Sequence, residues 1–472
     1  MSNISGSVAA LLGALDGVLA VRGEQIAVLD ESALAGEATD RLVYSAVFGS
    51  DEVREAARWL IWSAAQAVGL YPASIHELYT AAGRGEYAHT TTPAINVRGM
   101  SYDFARTIIR TAQAKNTKNF IFEIARSEMG YTDQTPAEFA TVMLAAGLRE
   151  AHRGPLFIQG DHQQISAAKY AQDPQKELDG LRKLTADSIA AGFYNIDIDA
   201  STIVDLAKPT EAERQELNYR HTAEMTAFIR GIEPAGVTVS VGGEIGEVGT
   251  EDSTPEDLEA FMSGFIPALQ GLGDGLAGIS KISVQTGTSH GGVVLPDGTI
   301  ADVSLNLDAL GALSDAARRY GMGGAVQHGA STLPEQAFDK FPERGAIEVH
   351  LATAFQNMVY DDLPDEFRDR IYAHLAEANA DERKPQMTDQ QFYYTTRKKG
   401  FGPFKREFWD LPQELKDTIT GHLAERFGLL FDKLGVSGTG DLVERHVKPA
   451  PVAKPLPESL RAALTAGASA DD

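Results

Sequence analysis

Four histidines of this chain stand in the same kind of sequence context: each closes an apolar, strand-like run just before a turn. His162 closes LFIQGDH, His290 closes ISVQTGTSH, His328 closes GGAVQH and His350 closes AIEVH. If these runs are parallel strands of one sheet, their carboxyl ends converge on one face. Three or four imidazoles meeting on that face could hold a divalent metal ion. The pattern therefore indicates a metalloenzyme.

The strands that would position these histidines follow a regular rhythm along the chain, alternating with amphipathic helical stretches. The predicted strands are AINV from residue 94, NFIFEIA from 119, LFIQGD from 156, FYNIDID from 193, VTVSVGG from 237, ISKISVQTG from 279, GGAVQHG from 323 and AIEVHLA from 346. The clearest helical stretches between them are 101–115, 135–151, 177–192 and 254–272. This alternation predicts an α/β fold, a (β/α)8 TIM barrel, with a doubly wound open sheet as the alternative.

Helical segments flank the predicted barrel on both sides. Residues 1–92 read as a helical N-terminal extension, because VREAARWLIWSAAQAVGL has helical apolar spacing and no clear strand is evident. The barrel is predicted to occupy residues 93–360. Residues 361–472 read as a helical C-terminal extension that carries an exposed aromatic and basic patch, QFYYTTRKKGFGPFKREFW, and ends in a Pro-rich linker and a frayed tail.

Composition excludes several classes of protein. The 472 residues are 43% hydrophobic, which is enough to bury a large core, and the net charge of -24 argues against a nucleic-acid partner. The chain has no cysteine, so a zinc ion would be held by nitrogen and oxygen atoms. No apolar run reaches the ~18 residues of a membrane span, and the N-terminus lacks the basic region of a signal peptide. We expect a cytoplasmic protein with no membrane partner.

Carboxylates near the same strand ends add further candidates. Asp161 directly precedes His162, and because neighbours on an extended strand point to opposite faces, we expect each to have its own role. Glu244 follows two glycines, where it could join or approach a metal, and Glu251 lies on a glycine-punctuated loop that could instead be a solvated acidic loop. Asp199 lies at the same rim, either as a functional group or as a helix cap.

Glycines follow two of the histidines and would let backbone amides approach a ligand. Gly291 follows His290 and Gly329 follows His328. With Ser331, these amides could cradle a phosphate, as barrel loops often do. The alternative for Ser331 is an ordinary helix N-cap.

The ordered set of motifs GDH, IDAS, GEIGEVGTED, TSHGG and HGAS resembles the class II, metal-dependent ketose-bisphosphate aldolases over roughly residues 93–360. The resemblance implies a zinc ion, or another divalent metal, held by three histidines with a glutamate as a further or alternate ligand. It also implies one general acid/base at the hydroxyl of the bond that breaks and one at the enediolate carbon. The corresponding residues are His162, His290, His328 and Glu244 for the metal, and Asp161 and Glu251 for the two proton transfers.

The chain departs from the family in two places that bear on the substrate. Its last strand reads HLATA, which places His350 where the family has a substrate-contacting asparagine, and we expect His350 and Thr353 to contact the substrate together with Asp199. The lysine that usually follows the HG motif is absent from SHGGVVLPDG. In addition, EIARSEMGYTDQTPAEF resembles the non-catalytic GatZ-type subunit of tagatose-bisphosphate aldolase.

The sequence thus predicts a zinc-dependent class II aldolase, a lyase of carbohydrate metabolism such as glycolysis. It would cleave or form a C–C bond of a phosphorylated ketose through a metal-stabilised enediolate. The alternatives are a non-catalytic partner subunit of another aldolase, and a metal-dependent sugar-phosphate isomerase or epimerase. We expect the chain to form a homodimer or a higher homo-oligomer.

A basic cluster in the C-terminal extension is the densest in this acidic chain. Phe401 and Phe404 are interleaved with it and could dock the segment over a barrel mouth, where its cations would contact a phosphate or carboxylate. The alternative is a solvated loop between helices. The cluster consists of Arg397, Lys398, Lys399, Lys405 and Arg406.

Overall fold

The computed structural model describes residues 4–246, 251–287, 295 and 305–468. The strands in these residues are β1 Leu19–Arg22, β2 Gln25–Val28, β3 Leu70–Ala73, β4 Thr92–Asn96, β5 Ile121–Ala125, β6 Gly154–Gln164, β7 Asn195–Asp199, β8 Ser240–Glu244, β9 Lys281–Val284, β10 Ala325–Gln327 and β11 Glu348–Leu351.

The α-helices are α1 Val8–Ala14, α2 Glu31–Ala33, α3 Thr39–Phe48, α4 Asp51–Ala67, α5 His76–Gly83, α6 Ser101–Ala114, α7 Arg126–Tyr131, α8 Pro136–Arg149, α9 Ala167–Gln172, α10 Pro174–Ala191, α11 Glu211–Arg214, α12 Glu216–Ile232, α13 Pro255–Gln270, α14 Leu307–Arg319, α15 Lys340–Glu343, α16 Thr353–Asp361, α17 Asp365–Ala378, α18 Asp389–Thr396, α19 Lys405–Trp409, α20 Gln413–Lys433, α21 Gly440–His446 and α22 Glu458–Ala468. Short 3₁₀ turns lie at Ser201–Ile203, Glu335–Ala337, Ala380–Glu382 and Arg397–Gly400, and a π-helical turn lies at Leu34–Ala38.

The eight strands β4 to β11 form a closed parallel barrel in chain order. The last strand returns to the first, with Leu351 of β11 paired to Ile95 of β4. Each of the eight predicted runs overlaps one of these strands, and the predicted (β/α)8 barrel is confirmed. Their carboxyl ends meet at one rim, where barrel enzymes carry their active sites.

Local signals explain where the helices between the strands begin and end. The side chain of Asp173 accepts a hydrogen bond from the Lys176 amide and Pro174 occupies the first turn of α10, both favoured at a helix start. Gly192 ends α10 in the left-handed conformation that glycine adopts without strain. The four helical stretches predicted within the barrel segment correspond to α6, α8, α10 and α13.

The N-terminal segment contains the predicted helices and also strands, and these strands were not predicted from the sequence. β1 and β2 form an antiparallel pair, and β3 pairs in parallel with the first residues of β6, Leu70 opposite Gly154. β3 has the sequence LYPA, and a proline argues against a strand except at a sheet edge. β3 lies at such an edge, so Pro72 is tolerated there.

The basic and aromatic patch of the C-terminal extension is largely buried, so the expectation of an exposed patch is wrong. Phe401 and Phe408 are buried in the core, and the side chain of Arg397 is 9% exposed. The ring of Phe401 lies directly against Gly99, in the loop after β4. The interleaved aromatic residues pack the segment against the barrel, and Arg397 and Lys405 are buried with them.

The Pro-rich stretch near the C-terminus packs on the N-terminal segment and does not act as a free linker. The indole N–H of Trp62 donates to the Val452 carbonyl at 2.8 Å, and that of Trp59 donates to the Lys454 carbonyl at 3.0 Å. α22 then lies against α1 and α4 and buries Leu460 completely. The two extensions therefore form one layer on the outside of the barrel. Across the described ranges, no helix has the length and apolar content to cross a membrane.

Candidate active site

Three of the four predicted histidines converge at the carboxyl-terminal rim of the barrel. The ring centroids of His162 and His328 are 4.3 Å apart, and those of His328 and His350 are 4.0 Å apart. His162 lies in β6, His328 directly follows β10, and His350 lies in β11. His290 and Gly291 lie outside the described residues, so their predicted roles stay predictions.

A bulge in β6 turns Asp161 and His162 toward the same site. His162 has a φ of 40°, a left-handed conformation, and the pairing of β6 with β7 shifts register between Gly160 and Gln163. Such a bulge breaks the alternation of faces along the strand. The expectation that Asp161 and His162 point apart is therefore wrong: an oxygen of Asp161 lies 3.8 Å from Nε2 of His162.

The donor atoms at this rim fit a divalent metal ion. One ligand atom each from Asp161, His162 and His328 lie within 4.8 Å of one another, and Oε2 of Glu244 lies 3.8 Å from Nε2 of His328. Imidazole nitrogens and carboxylate oxygens are the ligands zinc takes where no thiolate is present. Asp161, predicted only as an acid/base, is thus near enough to share in holding an ion.

Asp199 lies behind His162 and positions it. Its carboxylate is 3.2 Å from Nδ1 of His162 and also accepts hydrogen bonds from Ser201 Oγ at 2.7 Å and Gln164 Nε2 at 2.6 Å. Burial would raise the pKa of Asp199, but these partners outweigh it and lower the pKa. A carboxylate behind a ligand histidine fixes the ring orientation. Asp199 is outside the cavity lining, so the structure gives it this contact in place of the predicted substrate contact.

A buried polar layer inside the barrel supports the site from below, and the sequence analysis missed most of it. The ammonium of Lys281 lies 2.7 Å from Gln159 Oε1, 2.9 Å from Asp197 and 2.6 Å from Glu348. Burial disfavours its charge, but Asp197 and Glu348 outweigh burial and raise the pKa of Lys281. In the sequence, this polar layer is marked by a single acidic or basic residue in each of three apolar runs: Lys281 in ISKISV, Glu123 in NFIFEIA and Glu348 in AIEVH.

His350 connects this layer to Asp161. Its Nε2 lies 2.6 Å from Glu348 and its Nδ1 lies 3.2 Å from Asp161. Burial opposes the charge of Asp161, yet His162 and His350 hold its pKa well below the usual range. These neighbours therefore favour the carboxylate form of Asp161. Burial likewise opposes the charge of His162, but Asp161 and Asp199 raise the pKa of His162 to about 10. A metal ion that binds this imidazole must therefore displace a proton from it.

A cavity of about 720 Å³ opens over these groups. Asp161, His162, His328 and His350 line it, and so do the predicted substrate contacts Gly329, Ser331 and Thr353. Gly329 has a φ of 66°, which a side chain would strain. Ser331 does not cap the helix that follows it in the chain; its Oγ accepts from the Ala354 amide in the first turn of α16, at 3.4 Å.

Glu251 is the one predicted catalytic residue that the structure does not bring to the cavity. Its side chain is exposed and is not part of the cavity lining. The residues just before it, 247–250, lie outside the described residues. Its predicted role in proton transfer at carbon stays a prediction.

The fold and the rim site together are those expected of a barrel enzyme that uses a divalent metal. Residues 73–399 match the family model for fructose-bisphosphate aldolase class-II. The chain therefore belongs to the class II fructose-bisphosphate aldolase family. No curated protein matches the chain.

Solved structures that are similar to this one include an epimerase and aldolases. The fructuronate-tagaturonate epimerase UxaE from Cohnella laeviribosi is 14% identical with a TM-score of 0.54, and the alignment covers 88% of this chain and 89% of the epimerase. The YdjI aldolase from Escherichia coli K12 is 14% identical with a TM-score of 0.48, covering 78% and 99%. The fructose-bisphosphate aldolase from Campylobacter jejuni is 16% identical with a TM-score of 0.47, covering 77% and 94%. At these identities the similarity shows the fold alone.

Proposed function

We propose that this protein is a divalent-metal-dependent aldolase, with zinc as the expected metal, that cleaves or forms a C–C bond of a phosphorylated ketose. The observation that carries the proposal is the grouping of Asp161, His162 and His328 at the rim of a barrel from the class II aldolase family. Glu244 lies beside them as a fourth donor.

The residues divide the chemistry among them. A divalent ion held by His162, His328 and Glu244 would polarise the ketone and offset the negative charge that develops as the bond breaks. Asp161, which lines the cavity beside these ligands, accepts the proton of the hydroxyl at that bond. His350 and Asp199 keep Asp161 and His162 in place.

A second group must transfer the proton at the carbon of the enediolate after the C–C bond breaks. Glu251 is our candidate from the resemblance, and because it is exposed it must approach the cavity to act. Backbone amides at Gly329 and Ser331, which line the cavity, are candidates for holding a substrate phosphate.

Metal analysis joined to an activity assay tests the proposal. The purified chain should carry about one tightly held divalent ion. It should release fragments from ketose phosphates, lose that activity with a chelator and regain it with zinc. A folded chain that holds no metal and cleaves none of these sugars would contradict the proposal and favour a non-catalytic partner subunit.

A metal-dependent sugar epimerase is the second candidate. It is favoured by the fold similarity to the epimerase from Cohnella laeviribosi, which extends over more of this chain than the family match does. Epimerisation through an enediolate uses the same metal and the same kind of base. The products separate the two: an aldolase gives two fragments from one sugar, whereas an epimerase gives one isomer of the same size.

A further inference from the structure

The C-terminal extension contributes directly to the wall of the cavity. Tyr394, Thr395 and Lys398 line it together with His162 and His328. They belong to the end of α18 and the 3₁₀ turn that follows. The segment is held there by buried aromatic residues such as Phe401, so its position over the barrel mouth is built into the fold.

Only one of the three adjacent cations in this segment faces the cavity. Arg397 donates to the Asn357 side chain, and its guanidinium lies 4.7 Å from the centroid of the Tyr394 ring. Lys399 forms an ion pair with Glu382. Lys398, between them, lines the cavity and has no carboxylate within 4 Å among the residues that the structure describes.

Arg98 lies in the same wall and is close enough to Lys398 for the two charges to repel. Burial, and after it the charge of Arg98, lower the pKa of Lys398. Arg98 forms an ion pair with Glu128 and donates to Gln356 at 2.8 Å, while its buried Nε has no hydrogen-bond acceptor in the described structure. Glu128 thus balances one of the two cations, and the pair keeps an excess of one positive charge.

Cationic side chains are concentrated in the lining of this cavity although the chain has a net charge of -24, and two of them are paired, Arg98 with Glu128 and Arg126 with Glu177. The lining includes four cationic side chains, Arg98, Arg126, Lys169 and Lys398, against the carboxylates of Glu128 and Asp161. The Lys398 ammonium lies 5.7 Å from the centroid of the Tyr131 ring and has no carboxylate partner among the described residues, and Arg98 lines the same cavity. A lysine and a guanidinium in one wall are suited to an oxyanion, which takes charge-assisted hydrogen bonds from such groups.

We propose that Lys398, with Arg98, binds the acidic group of the sugar substrate, a terminal phosphate or carboxylate. The assignment of this anion to a sugar rests on the proposed function; the anion site itself does not. Lys398 would bind the substrate anion in place of the lysine that is absent after the SHGG motif. The C-terminal extension would then help to determine which substrate binds.

Anion titration of three forms of the metal-loaded protein tests the inference. Wild type, Lys398→Met and the matched control Lys399→Met would each be titrated calorimetrically with inorganic phosphate and with acetate at constant ionic strength. We expect Lys398→Met to weaken binding of the preferred anion by roughly tenfold, the size of one lost charge-assisted hydrogen bond. Lys399→Met should bind within about twofold of wild type, because its partner Glu382 lies outside the cavity lining.

The anion that the wild-type protein prefers identifies the acidic group of the substrate. Preference for phosphate identifies a sugar phosphate, and preference for acetate identifies a sugar acid. Wild-type protein that binds neither anion, or a Lys398→Met variant that binds both as wild type does, overturns the inference. The titration needs no turnover, so it tests the anion site separately from the proposed function. If Lys398→Met lost anion binding while the wild-type protein cleaved none of the sugars, the proposed function would be wrong and the anion site would stand.

Discussion

The left-handed backbone of His162 decides which side chains reach the rim of the barrel. Without the shift of register after Gly160, Asp161 and His162 would point to opposite faces of β6. With it, both lie within reach of His328. A non-glycine residue at a φ of 40° costs of order 1 kcal/mol and persists only where its surroundings hold it. Here Asp199 holds the imidazole through Nδ1.

Replacement of His328 by alanine tests the metal site. The variant should lose bound divalent metal, because it removes one nitrogen donor from a small ligand set, while its circular dichroism stays that of the wild type. His422→Ala is the matched control, since His422 is exposed, lies outside the cavity lining and has its Nδ1 2.8 Å from Asp362. Wild-type metal content in His328→Ala would remove that residue from the site.

Asp161→Asn tests the proton transfer. The amide keeps the shape of the side chain but cannot accept the hydroxyl proton, so turnover should fall by roughly 100-fold or more, the usual scale for a general acid/base. We expect the metal to be retained, since His162, His328 and Glu244 remain. Turnover near that of the wild type would exclude the role, and parallel loss of metal would identify Asp161 as a ligand.

At the scale of the elements, β8 and β9 make room for the buried ion pair beneath the site. Lys281 on β9 and Asp197 on β7 meet across β8, where Gly242 has no side chain. A Cβ at Gly242 would fall on the Asp197 carboxylate and lie 3.0 Å from Cε of Lys281. A glycine in mid-strand is required here by the space that a charged pair occupies.

Gly242→Ala should therefore destabilise the protein by about 1–3 kcal/mol, the usual cost of overpacking a core. Gly180→Ala is the same substitution in α10, where an added Cβ meets nothing within 4 Å. It should raise the free energy of unfolding by about 0.5–1 kcal/mol, because alanine is the better helix former. Chemical denaturation measures both, and equal stability of the two variants would contradict the packing argument.

The sequence predicted elements where a periodic pattern runs the length of the element. The eight barrel strands and helices such as α10 were found because apolar runs and helical apolar spacing mark them. β3 was missed because its pairing with β6 is a long-range contact and its Pro72 argues against a strand. The shared direction of Asp161 and His162 was not predicted, although Gly160 within the strand run was an available signal of a bulge. Lys281, Glu123 and Glu348 could have been found, since each is a lone charge in an apolar run.

At the scale of the whole molecule, the two extensions pack on the outer helices of the barrel, and the C-terminal extension also reaches its mouth. α22 packs on α1 and α4, and the Pro-rich stretch before it accepts the indole hydrogen bonds of Trp59 and Trp62. The C-terminal residues are thus part of the folded unit. Their composition suggested a linker because proline-rich sequence is read locally, whereas the acceptors it offers to tryptophan are set by tertiary contacts.

Leu460→Ala measures how firmly this layer is attached. Leu460 is fully buried between the extensions, so the variant should lose about 2–5 kcal/mol of stability, as buried leucine positions do. Leu206→Ala is the matched control: Leu206 is 53% exposed, and its replacement should change stability by less than about 0.5 kcal/mol. If denaturation gave similar values for both variants, the C-terminal helix would not be part of the cooperative fold.

The central claim is that this barrel uses its rim histidines and Asp161 to break a C–C bond of a phosphorylated ketose. Product analysis tests it most directly: the metal-loaded protein would be incubated with ¹³C-labelled ketose mono- and bisphosphates and the products followed by NMR. We expect two shorter fragments from one sugar, formed only with metal present and at a strongly reduced rate by Asp161→Asn. A single isomer of unchanged length, or no product from any of these sugars, would contradict it.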